Sequence, residues 1–291
     1  MKILNQILLL SAAIFLISCG GSSEEADGET VVAEESMYGG TFTMPIGSYF
    51  TPIPIVEVQK LETASIYNQM FEGLVEYDPN TLEIVPVLAK EYSVSEDGLT
   101  YSFVMRDDAY FHDNDCFEGG KGRKVTAEDV KNSFKAVYTK DVENRAYVTF
   151  KNTIVGGDEF YERKADDIEG IQIEGNTVNI TLKEPSAVFI QKLSTIYASI
   201  VPEESLDYTG KFEPVGTGPY VYDAKSSSEN VTMIKNPNYY GKDKEGGALP
   251  YLDSVVFKYY EQSEQEIEDF WVGKLSYVPG VPISKISEVL E

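Results

Sequence analysis

Between Tyr92 and Arg106 the chain reads YSVSEDGLTYSFVMR. Its Ser-Glu-Asp-Gly stretch offers a tight turn, after which Tyr101, Phe103 and Met105 alternate with Ser102, Val104 and Arg106. A period of two sends the first three side chains to one face of a strand and the other three to the opposite face, so the segment predicts a hairpin with one buried face. The run IQIEGNTVNITL (Ile171 to Leu182) repeats the logic: Gly175-Asn176 turns between Ile171, Ile173 and then Val178, Ile180, Leu182. Both are antiparallel signals.

Helical patterns interrupt the hairpins. In VTAEDVKNSFKAVY (Val125 to Tyr138), Thr126 and Asp129 have capping-box spacing, and Val130, Phe134 and Val137 fall on one face. In ETASIYNQMFEGL (Glu62 to Leu74), Ile66, Met70 and Leu74 recur every four residues, which predicts a helix lying on a core. Antiparallel hairpins mixed with medium helices, and no fixed-period repeat, point to an α+β arrangement. The chain's 291 residues, 42% of them hydrophobic, suffice for a substantial core in one or two domains.

Charge narrows the partners. Against 24 Lys and Arg stand 48 Asp and Glu, a formal charge of −24. Such an excess repels phosphate backbones and anionic headgroups, so nucleic acid is not an expected partner. The acids are spread along the chain and read as a solvated surface; adjacent pairs such as Asp166-Asp167 carry no catalytic signal at this density.

The first residues differ in kind. Lys2 precedes the run ILLLSAAIFLI (Ile7 to Ile17), too short for a comfortable membrane span and suited to a secretory signal. Its end, LISCG (Leu16 to Gly20), resembles a bacterial lipobox, which implies that residues 1–18 are removed and that Cys19 becomes an acylated N-terminus. Residues 19–37, rich in Gly, Ser and Glu, then read as a flexible tether. Without the leader, Cys116 has no partner for an internal disulfide.

Two motifs invite a chemical reading. His112, the sole histidine, lies in YFHDND with Cys116 four residues on; a catalytic pair, a metal site with Asp113, Asp115 and Cys116, and a turn-stabilising role are the alternatives. No CxxC or HExxH pattern supports the metal, and the turn is the favoured reading. VGTGPY (Val215 to Tyr220) has two glycines but lacks the Gly-Lys-Ser/Thr ending of a phosphate loop, and Pro219 removes a donor. It reads as a rigid turn into a strand.

Seven blocks in order resemble the extracytoplasmic solute-binding proteins of peptide ABC transporters, the oligopeptide- and dipeptide-binding family. They are FEGLVEYD (from Phe71), IVPVLAKEYSVSEDGLTYSFVMRDDAYFHD (from Ile84), VTAEDVKNSFKAV (from Val125), NTVNITLKEPSAVFI (from Asn176), VGTGPYVY (from Val215), MIKNPNYYG (from Met233) and PYLDSVVFKYY (from Pro250). The resemblance implies a two-lobed periplasmic-binding-protein-like fold of the type II, cluster C kind. Members run to nearly twice this length, so it further implies a first lobe in two parts, residues 38–70 and 201–291, a smaller domain inserted at 71–200, and an absent second lobe. One wall alone implies a peptide affinity about a hundredfold below that of a two-walled protein, roughly 2.7 kcal/mol.

The family implies capture of peptides or similar solutes for a membrane permease, with no enzymatic turnover, cofactor or metal, and a structural His112. By position relative to its blocks, the ligand contacts are expected from Gly47 to Glu57, Asn144 to Phe150 and Ser276 to Pro282, with Tyr49, Phe50, Tyr147, Tyr277 and Pro279 as the named candidates. Two departures leave the ligand class open: GKLS (from Gly273) replaces the family's acidic turn, and CFEGGKGRK (from Cys116) lengthens the loop after FHDND. Nickel chelates, haem and oligosaccharides are alternatives within the fold; a stand-alone structural or adhesive lipoprotein is the alternative outside transport, and a carboxylate-based hydrolase ranks behind both.

Overall fold

The alternation at Tyr92 to Arg106 becomes strands β4 and β5 of a sheet assembled mostly from neighbouring sequence. The computed structural model describes residues 37–206 and 214–290, so the apolar leader, Cys19 and the tether up to Ser36 lie outside the described residues. Its strands are β1 (Thr41–Ile46), β2 (Val75–Tyr77), β3 (Ile84–Pro86), β4 (Ala89–Val94), β5 (Thr100–Met105), β6 (Ile171–Glu174), β7 (Thr177–Thr181), β8 (Tyr220–Tyr222), β9 (Asn230–Lys235) and β10 (Ser254–Tyr259). The helices are α1 (Leu61–Tyr67), α2 (Ala127–Val137), α3 (Ala146–Phe150), α4 (Gly157–Tyr161), α5 (Phe189–Leu193), α6 (Glu203–Leu206), α7 (Ser263–Trp271) and α8 (Ile286–Leu290). The mixed α/β composition is the one the patterning predicts, and among the described residues no helix is long and apolar enough to cross a membrane.

Strands β4, β5, β7 and β6 form one antiparallel sheet in that order, with Tyr92 opposite Phe103 and Phe103 opposite Val178. Tyr101, Phe103 and Met105 are buried, as the period of two requires, and they join Val178 and Ile180 in one core. Helix α2 covers that core through Val130, Phe134 and Val137, with Phe134 edge-on to Phe150 at 5.4 Å. Its start is fixed as the sequence suggests: the Thr126 N–H donates to Asp129 Oδ2 at 2.8 Å. Each fully buried Phe or Leu here contributes about 2 kcal/mol of transfer free energy.

The second sheet draws on both ends of the chain. Its order is β1-β10-β9-β8, with β1 parallel to β10 from Thr41 opposite Ser254 to Ile46 opposite Tyr259, and the remaining pairs antiparallel. Ile66, Tyr67 and Met70 pack under it with Phe50, Val231, Met233 and Phe257. The chain passes between the two cores near residues 71–74, 200–201 and 215–220, where successive residues belong to one core and then the other.

The helix predicted over Glu62 to Leu74 is shorter in the structure. Helix α1 stops at Tyr67, although Ile66, Met70 and Leu74 are all buried. The carbonyls of Gln69 and Met70 are taken by the N–H groups of Tyr220 (3.1 Å) and Gly218 (2.9 Å), so a tertiary pairing replaces the last helical turns. VGTGPY supplies that pairing, and a Cβ on Gly216 would lie 2.1 Å from the Met70 carbonyl oxygen, a contact only glycine permits. Leu74, past the turn, belongs to the other core.

Candidate functional site

The parallel strands β1 and β10 end side by side, so the loops that follow them gather at one corner of the sheet. Beyond Ile46 the chain turns through Gly47 and Ser48 to Tyr49, whose half-exposed ring lies 4.1 Å from that of Tyr259, the last residue of β10. The Phe50 N–H donates to the Ser228 carbonyl at 3.0 Å and the Tyr259 N–H to the Glu229 carbonyl at 2.7 Å, which ties this corner to the β8–β9 turn. Partial desolvation, then Tyr259, then the carboxylates of Glu229 and Glu261 hold the Tyr49 phenol above its ordinary value. The corner therefore combines a flat aromatic pair with negative potential, a surface suited to a positively charged or backbone-rich ligand.

The named candidates divide. Tyr49, Tyr277 and Pro279 are exposed. Tyr277 follows Ser276, which pairs with the free edge of β1: its N–H donates to the Thr43 carbonyl at 2.8 Å and its Oγ accepts from the Thr43 N–H at 3.1 Å. Phe50 is a core residue, 3% exposed, set edge-on to Tyr67 at 5.8 Å, so its ring has no free face. Tyr147 is half-buried in packing of its own, stacked at 3.5 Å on Tyr161 with its hydroxyl donating to Asp158 Oδ1 at 3.0 Å. Patterning does not single out Tyr259, because PYLDSVVFKYY reads as a packed strand and nothing local shows that its penultimate residue faces Tyr49.

Two predicted segments do meet. The Arg145 N–H donates to the Val56 carbonyl at 2.6 Å, bringing Asn144 to Phe150 against Gly47 to Glu57. Beside this contact an open groove of about 460 Å³ runs between Pro54 and α2, with Glu57, Asp141 and Glu203 on its walls and Lys135 as its cation. Burial, then Asp141 and Glu143, raises the Glu57 carboxyl.

His112 takes the structural role. It is 2% exposed; Nε2 donates to the Gly218 carbonyl at 2.9 Å, and Nδ1 accepts from the Gly216 N–H at 3.4 Å. Burial lowers its pKa to about 4, so the ring is neutral at physiological pH with both nitrogens bonded to backbone. Cys116 is half-buried, and burial followed by the nearby Glu204 pushes its thiol up to about 11, the reverse of an activated nucleophile. Neither the histidine nor the thiol is poised for chemistry.

Residues 83–291 match the model of the bacterial extracellular solute-binding proteins, family 5, middle region. The chain belongs to that family. It is 27% identical to the oligopeptide-binding protein AliA of Streptococcus pneumoniae over 97% of this chain and 42% of the relative, and 30% identical to the dipeptide-binding protein of Escherichia coli over 65% of this chain and 35% of the relative. Among solved structures, a periplasmic oligopeptide-binding protein of Borrelia burgdorferi matches with a TM-score of 0.74 at 26% identity, over 86% of this chain and 49% of that one. The Helicobacter pylori protein DppA, solved with the peptide STSA, shares the fold at a TM-score of 0.73 and 23% identity, over 88% of this chain and 50% of that one. The chain thus spans about half the length of the proteins it matches.

Proposed function

We propose that this chain is the ligand-capturing part of a peptide-binding lipoprotein serving an ABC importer, with the Tyr49–Tyr259 corner as one wall of its ligand site. The observation that carries the reading is the placement of that aromatic pair, with Glu229 and Glu261, at the carboxyl ends of the parallel strands β1 and β10 in a chain of this family. A peptide's ammonium end would meet the acids while its backbone lies along the rings, and affinity taken from the backbone tolerates many sequences. Tyr277 and Pro279, beside the free edge of β1, would extend the wall. In this reading residues 71–200 form the smaller inserted domain, Cys19 carries the lipid that holds the protein outside the cytoplasmic membrane, and a permease receives the solute.

Thermal shift of the mature protein against mixed peptide pools, nickel chelates, haem and oligosaccharides tests the ligand class. Stabilisation by peptides alone supports the proposal; stabilisation only by one of the other ligands overturns it. The haem arm has its own motive, since haem-binding protein A of Haemophilus influenzae is 28% identical over 258 residues. His112, enclosed by backbone, is not free to act as an axial ligand there.

A further inference from the structure

One acidic side chain stands where the three passages between the cores meet. Glu72 lies between Phe71 of one core and Leu74 of the other, and it is 8% exposed. Its backbone carbonyl accepts from the Ile200 N–H at 2.9 Å, which ties the first passage to the second. Its carboxylate accepts from Thr217 Oγ1 at 2.7 Å, which ties the first passage to the third. Oε1 also accepts from the hydroxyls of Tyr239 (2.9 Å) and Tyr240 (2.8 Å), in the connection between β9 and β10.

The surroundings reinforce the arrangement. The Arg106 guanidinium, at the end of β5, lies 3.4 Å from the centre of the Tyr240 ring while its Nε donates to Asp108 Oδ1 at 2.7 Å. Next to Thr217, Gly216 and Gly218 are bonded to His112 and Met70, and the Asn236 amide donates to the Gly218 carbonyl at 3.0 Å. Glu72, His112, Thr217 and Asn236 are all buried polar residues gathered at this one place. A network in which every member is satisfied fixes one geometry, and removing its common acceptor strands several donors at once.

We infer that the Glu72 carboxylate is a latch that fastens the β1-β10-β9-β8 sheet to the core of the β4-β5-β7-β6 sheet, so that the two move as one body. Either core keeps its own apolar packing without the latch; what Glu72 supplies is their mutual orientation. It therefore acts as a positioning residue for the Tyr49–Tyr259 corner, which β10 carries on the far side of the connection that Tyr239 and Tyr240 anchor. The latch itself stands on the contacts above and does not depend on what that corner binds.

Amide hydrogen exchange read by mass spectrometry, on the 291-residue chain and its Glu72→Leu variant, which removes the acceptor at nearly constant volume, tests the latch. The expected result is at least tenfold faster exchange confined to residues 69–73, 198–201, 215–220 and 236–241, with the centres of β5, β7 and β10 unchanged. Unaltered exchange in the four segments overturns the inference, and so does uniform acceleration across both sheets, which would make Glu72 an ordinary core residue. Should Glu72→Leu not fold, Thr217→Val and Tyr239→Phe each remove a single bond, and the same four segments are expected to respond more weakly.

Discussion

Acidification is expected to strain this fold at His112. The unfolded imidazole protonates near its ordinary value of 6.5, whereas the buried ring in the folded chain does so only near 4. Between those values the unfolded state binds the proton and the folded state does not, so stability rises with pH across the window and is lost as pH falls through it. At about 1.4 kcal/mol per pH unit, the drop from 6.5 to about 4 corresponds to roughly 3 kcal/mol as an upper bound, a sizeable share of a domain's stability. Glu72 works in the opposite sense: burial raises its carboxyl, so its contribution declines as pH rises above the ordinary carboxylate value. Comparison of the chain with its His112→Gln variant cancels that term, since Glu72 is present in both. Urea denaturation at intervals from pH 4 to 7.5 should show the stability difference between them growing by about 3 kcal/mol in favour of the parent at the upper end. The sole histidine also gives one unambiguous imidazole resonance, whose titration midpoint should lie near 4. A midpoint near 6.5, or a gap between the proteins that does not change with pH, would refute the burial argument.

Other expectations follow from single contacts. Asp129 is 2% exposed and takes two bonds from Arg123, at 2.7 and 2.8 Å, besides capping α2; Asp129→Ala should cost about 3 kcal/mol by denaturant titration. Gly216→Ala drives a methyl into the Met70 carbonyl and should destabilise by about 1–3 kcal/mol, read as a lower unfolding midpoint. Tyr49→Ala should weaken peptide binding about tenfold in calorimetric titration, about 1.4 kcal/mol, while leaving thermal unfolding near its parent value because the ring is half-exposed. Replacing Cys19 with Ala should move the protein from the membrane to the soluble extracytoplasmic fraction; identical partitioning of both forms would remove the lipid anchor from the proposal.

Short-range physics was legible in the sequence, and long-range pairing was not. Both hairpins and α2 are set by turns, alternation and a cap within a dozen residues, and the structure shows each where the pattern puts it. The end of α1 depends on Gly218 and Tyr220, some 150 residues away, which no window around Met70 contains. The same applies to the proposed wall. Tyr49 could be named from its loop, but whether an aromatic in such a loop turns outward, as Tyr49 does, or inward, as Phe50 does, is decided by Tyr67, Tyr222 and Tyr259 from elsewhere in the chain. Glu72 carried a faint signal: a carboxylate inside the apolar run MFEGLV must find donors or face water, and here it finds them.

The parallel pairing of β1 with β10 also sets an order of events during synthesis. Thr41 and Ser254 are 213 residues apart, so β1 leaves the ribosome long before its partner exists. Strands β4 to β7 lie within residues 89–181 and close on one another with much shorter loops. Closing the longer loop costs more entropy and must wait until β10 has emerged, so the β4-β5-β7-β6 sheet is expected to form before β1 finds its partner. Until β10 emerges β1 is an unpaired strand, the state in which aggregation is most easily seeded. Pro45, which cannot donate to a ladder, and the neighbouring Gly47 shorten the run that could pair wrongly, a safeguard written into the strand that waits longest.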